Sequence, residues 1–162
     1  MEPMAPDANP DDELRLREYA TELADGIEQA LPSWVERNVE RLLMAYTGTA
    51  DPDTMAHAAR AGEHARDQVG PEVRRLLEQD VDDQRGNPLA VLRSAISYPT
   101  EVLRDAGVPP VVRDAFSEER FPDDVYGLCP AAFTDLDPAL HDVGLRWGAA
   151  KAFVHKARHR RR

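Results

Sequence analysis

Apolar residues recur at steps of three and four along most of this chain, and prolines and glycines stand where those runs begin and end. Proline fits the first helical turn, where its missing N–H costs nothing; glycine fits the left-handed position after the last turn. Pro10, Pro32, Pro52, Pro71, Pro88, Pro99 and Pro138 each stand near the start of a helical pattern, and Gly48, Gly70, Gly86 and Gly107 where one ends. Strand-forming residues are scarce, and the one β-branched cluster, Val108 to Val112, holds two prolines. The expected fold is all-α: an antiparallel helical bundle with a proline- and aromatic-rich irregular segment and a C-terminal helix.

The first stripe is Leu16, Ala20, Leu23, Ile27 and Ala30. Ser33 with Glu36 predicts a capping box that opens a second helix along Val35, Val39, Leu42 and Tyr46. Met55, Ala58, Gly62, Ala65 and Val69 form a third, and its pattern runs on through Val73 and Leu76 despite Gly70-Pro71. That predicts one kinked helix or two abutting ones. Asn87-Pro88 reads as a cap and first-turn proline ahead of Leu89, Leu92, Ile96 and Leu103, a stripe interrupted by Pro99.

These stripes set the expected domains: 1–10 as a disordered lead-in and 11–162 as a single helical domain. Within it, 11–106 is the bundle core, 107–142 an irregular wrapping segment and 143–162 a C-terminal helix with a basic tail. Short helical turns are expected at Val111 to Phe116, Pro130 to Phe133 and Pro138 to His141. Phe116, Phe121, Tyr126 and Phe133 bury large areas each and are expected to staple the segment across the bundle. Trp147 shares a helical face with Ala150 and Val154 and is expected to pack against 116–133.

Charge is unevenly spread. The chain has 162 residues and a net charge of −10, from 30 acidic and 20 basic side chains. Residues 146–162 hold seven of the basic ones and no acidic one, which leaves 13 basic against 30 acidic, or −17, before them. The body is expected to repel nucleic acid and anionic lipid, and the tail to attract them or an acidic protein surface. No run approaches the roughly eighteen apolar residues of a membrane span. The opening residues lack the basic start and apolar run of a secretory signal, and one cysteine forms no disulfide framework, so the expected location is cytoplasmic.

Chemistry-bearing patterns are weak. His57 and His64 lie seven apart with Asp53 and Asp67 nearby, but the repeated Glu-x-x-His step of a bundle metal site is missing, and a solvated polar face is expected. His155 and His159 have two-ligand spacing but stand among arginines. Cys129, before Pro130, is expected as a small buried or capping residue. Asp80-Val81-Asp82-Asp83 and Asp135-Leu136-Asp137 match no calcium loop and read as solvated acidic loops. No catalytic residue, cofactor site or metal site is assigned. Ala58, Gly62 and Ala65 fit close helix packing within the bundle, or across a homodimer.

Arg120-Phe121-Pro122-Asp123-Asp124-Val125-Tyr126-Gly127-Leu128, Asp135-Leu136-Asp137-Pro138-Ala139-Leu140-His141 and Gly144-Leu145-Arg146-Trp147-Gly148-Ala149-Ala150-Lys151-Ala152 resemble a group of uncharacterised small helical proteins of actinobacteria. The likeness is strongest over roughly the last 75 residues. It implies a helical cytoplasmic protein and brings no activity or functional residue with it. The expected function is a non-enzymatic protein-binding or regulatory factor. Its partner would be contacted through the aromatic-rich segment and C-terminal helix, by Phe121, Tyr126, Trp147, Lys151, Arg158, Arg160, Arg161 and Arg162. The alternative is a nucleic-acid- or ribosome-associated factor using the arginine-rich end. A pocket between helices, serving an enzyme or ligand carrier, is the third class.

Overall fold

The computed structural model describes residues 10–79, 88–130 and 132–160. The expected lead-in, apart from Pro10, and the acidic stretch at 80–83 lie outside them, as do Asn87, Arg161 and Arg162. The described residues are mainly helical and contain no strand, so the chain is all-α. No helix among them is long and apolar enough to cross a membrane.

Helix α1, Pro10–Thr47, runs for 38 residues and buries Leu16, Leu23, Ile27, Leu31, Val35, Val39 and Leu43 along one side. The expected break at Pro32 does not occur, and Ser33 and Glu36 form no cap; Ser33 lies mid-helix, its carbonyl accepting from Arg37 Nε. An interior proline costs about 3 kcal/mol in lost hydrogen bonding and steric clash. Each large apolar side chain buried around it contributes about 1.5–3 kcal/mol, so burial wins and the helix continues. It ends at Gly48, whose φ of 74° lets its N–H turn back to the Met44 carbonyl.

Asp51 caps α2, Pro52–His64, by accepting the Thr54 N–H at 2.8 Å. The helix passes through a π-turn at Ala65–Val69 into α3, Gly70–Gln79, with helical dihedrals maintained at Ala65 and Gly70. The wider turn, closed by the Gly70 N–H on the Ala65 carbonyl, absorbs Pro71 without a break. The small-residue seam is used inside the molecule. A Cβ on Gly62 would lie 3.0 Å from the Pro32 carbonyl and 3.1 Å from Glu36 Cβ, so α2 crosses α1 there at close range. Met55 and Tyr46, expected on inner faces, are exposed instead. Arg74 of α3 forks onto Glu28 and reaches Asp25, both on α1, fastening the two helices at their polar edge.

A 3₁₀ stretch, Pro88–Ile96, feeds α4, Ser97–Asp105, with Pro99 in its first turn. The short helices of the irregular segment lie later than expected. Asp114 accepts the Ser117 N–H and so starts α5 at Ala115, ending at Arg120; α6 is Phe133–Leu136. Asp135 and Asp137, expected to be solvated, are both exposed, and their carboxylates accept the N–H groups of Ala132 and Ala139. Helix α7, Leu140–Arg160, packs along α1 in reverse order: Leu140 fills the space at Gly26, and Arg158 meets Glu13. Trp147 is 1% exposed and meets Phe133 edge-on at 6.4 Å, the contact expected from the sequence.

Trp147→Ala is expected to cost about 3–5 kcal/mol in urea denaturation, through lost burial and the cavity left behind. Gly62→Val must push the Pro32 carbonyl or Glu36 aside and is expected to cost about 1–3 kcal/mol in the same measurement.

Candidate functional site

Residues 107–130 fold back on themselves and then onto α1. Gly107, at φ 78°, ends α4 and sends the chain into Pro109-Pro110. The Val111 N–H bonds to the Val125 carbonyl, the Tyr126 hydroxyl donates to Val108 at 2.7 Å, and Arg113 donates to the Phe121 carbonyl at 2.6 Å. Trp34 of α1 reaches across the chain, its indole N–H donating to the Leu128 carbonyl at 3.2 Å. These bonds satisfy polar backbone that forms no regular element, as a packed irregular segment requires.

Asp124 organises the far end. It is 4% exposed, and its two carboxylate oxygens accept the N–H groups of Leu128 at 2.6 Å and Cys129 at 2.8 Å. Gly127, at φ 64°, allows the turn between them. A buried carboxylate with two backbone donors is satisfied as a charge, which gives it a structural assignment. Cys129 is half-buried beside it, its N–H held by the Asp124 carboxylate.

Between this segment and the C-terminal half of α1 lies a groove of about 500 Å³. Its lining includes Leu42, Tyr126, Phe121 and Cys129, with Arg41 and Arg113 at its polar margin and Val112 and Phe116 at its apolar one. Val112 is fully exposed and Phe116 is 65% exposed. Its carboxylates are engaged with backbone: Asp114 with Ser117, Asp124 with Leu128 and Cys129. The groove therefore offers apolar surface beside two guanidinium groups. On the other side of Phe121, a larger cavity of about 740 Å³ is bordered by Arg93, Glu101, Arg104, Glu119 and Asp123. It is also lined by Ile96, Phe121 and Val125, which are buried or half-buried, whereas Val112 and Phe116 at the first groove are exposed. Thr100, which also lines it, has a buried hydroxyl without a hydrogen-bond partner among the described residues.

The residues expected to touch a partner divide sharply. Phe121 lines both cavities and is half-buried. Tyr126 and Trp147 are buried in the core, and Lys151 is 4% exposed with its ammonium 6.0 Å from the Trp147 ring centre, so the structure turns all three inward. Large aromatic rings gain more by burial here than they would at a wet surface. Arg158 is exposed but lies 3.4 Å from Glu13; Arg160 closes α7. Val112, Arg41 and Arg113 were not singled out by the sequence. A faint signal was Val111-Val112, adjacent residues that point opposite ways in extended chain, so that one must face out.

Among the described residues, no three His, Cys, Asp or Glu side chains converge on a metal-sized site. His57 is exposed and contacts Arg60, whereas His64, expected on a solvated face, stacks on Tyr98 at 4.3 Å and 11°. That stack ties the end of α2 to α4.

Asp114 positions the groove's apolar wall, because it starts the helix that carries Phe116. Hydrogen bonding from the Ser117 N–H, then from the Ser117 side chain, holds its carboxyl below the ordinary value of 3.8. A depressed folded-state pKa means the cap contributes fully above the ordinary carboxylate range and is lost as pH falls through the lower folded value. The Ser117 amide resonance should therefore titrate with an apparent pKa below about 3.9, and Asp114→Asn should remove that transition. Titration at or above the ordinary value would contradict this. Compared with protein-family models, curated proteins and solved structures, the chain matches none.

Proposed function

We propose that this chain is a non-enzymatic binding or regulatory factor, and that its partner is another protein held in the groove between α1 and residues 107–130. In this reading the helices are an antiparallel bundle and the irregular segment is its recognition surface. The observation that carries it is the pairing of fully exposed Val112 and mostly exposed Phe116 with Arg41 and Arg113 around one groove. Apolar side chains left in water at a rigid rim gain free energy when a partner covers them. Aromatic and arginine residues are enriched where proteins recognise one another. The fitting partner is an amphipathic segment with apolar side chains for the groove and carboxylates for the arginines.

The nucleic-acid alternative rests on the basic residues of 146–162 alone. Glu13 beside Arg158 and the −17 carried by residues 1–145 both weigh against it.

A photoreactive amino acid at position 112 tests the proposal in the native extract. The expected outcome is a discrete crosslinked protein that is lost, at least about tenfold, when Phe116→Asp or Arg41→Glu is added, with melting temperature unchanged. Crosslinking indifferent to both changes would overturn the groove assignment. Salt-sensitive labelling of nucleic acid in its place would favour the alternative.

A further inference from the structure

Helix α7 is apolar on two opposite faces. Val143, Trp147 and Val154 face the core, whereas Leu145, Ala149 and Phe153 face out. Leu145 is 61% exposed and Phe153 46%. Large apolar side chains exposed together and rimmed by charges mark a contact surface. Between the faces lies Gly148, where an added Cβ would meet nothing within 4 Å. Glycine is a poor helix-interior residue, and nothing among the described residues requires it there.

We propose that the outward face of α7 binds a second copy of this chain, antiparallel, about a two-fold axis at Ala149. The sequence is self-complementary about that residue: Leu145 and Phe153 lie four positions to either side, and Asp142 and Lys156 seven. Antiparallel pairing sets Leu145 against Phe153 of the second copy and Asp142 against its Lys156, twice each by symmetry. Parallel pairing would instead oppose Asp142 to Asp142 and Lys156 to Lys156. Both charged residues are exposed. A groove of about 340 Å³ between Phe153 and Tyr19 of α1 gives the incoming Leu145 a seat. This contact is separate from the groove at 111–129 and does not rest on it.

Sedimentation equilibrium of the intact chain over a concentration series tests the proposal. A reversible dimer is expected. Leu145→Asp or Phe153→Asp should raise its dissociation constant at least about tenfold with helicity and melting temperature unchanged. Asp142→Lys and Lys156→Asp should each weaken it roughly three- to tenfold, and the double charge swap should restore it. A chain that stays monomeric into the millimolar range overturns the proposal. So does a dimer indifferent to these changes, or a double swap as weak as the singles. Phe116→Asp should leave the dimer intact; its loss in that variant would move the contact to the groove and overturn the α7 assignment.

Discussion

One uninterrupted apolar stripe, Leu16 to Leu43 of α1, is the surface on which the described structure is assembled. At 1.5 Å per residue α1 is about 57 Å long and α7 about 31 Å, so α7 is too short to cover one flank of α1. It begins at Gly26 and runs back toward Glu13. Beyond Gly26 the flank falls to residues 121–129, pinned by Trp34 to Leu128 and ordered by Asp124. An irregular cover meets a helix less closely than another helix does. The groove containing Leu42 and Arg41 lies along that less regular seam.

Helical class, the helix start at Pro52, the helix end at Gly107 and the inward face of Trp147 were legible, because each depends on residues within a few positions of one another. The unbroken passage of α1 through Pro32, and the starts of α5 and α6, were not. Pro32 looked like the start of a helix, since a local rule knows the cost of an interior proline and not the burial that outweighs it. The continuation past Pro71 was visible in the stripe, but the means was not. Ala61, Ala65, Val69, Val73 and Leu77 are all buried at successive steps of four. Four such steps would overrun whole turns of an ideal α-helix by roughly 160°. The π-turn at Ala65–Val69 takes up part of that excess and keeps the side chains on α1.

The candidate site was half legible for a similar reason. Aromatic content located the segment, yet the same property drew Tyr126 inward to Val108 and left Val112 and Phe116 exposed at the groove, across from residues of α1. Which of several large side chains remains outside is decided by the path of the backbone between Pro109 and Asp114. Residue type alone does not record that path. Likewise, the outward Leu145 and Phe153 of α7 are hard to pick out in the sequence, because charged residues such as Asp142, Arg146 and Lys156 stand among them.

Each of the two longest helical runs carries a proline inside it, Pro32 on α1 and Pro71 at the start of α3. Gly62 lies against Pro32, and Gly70 lies beside Glu28, whose carbonyl is the one Pro32 leaves without its usual donor. Neither proline can contribute an amide to its own helix, but Ile27, Leu31 and Val35 around Pro32 are all buried, so side-chain packing holds α1 closed at the level where its backbone ladder lacks a bond.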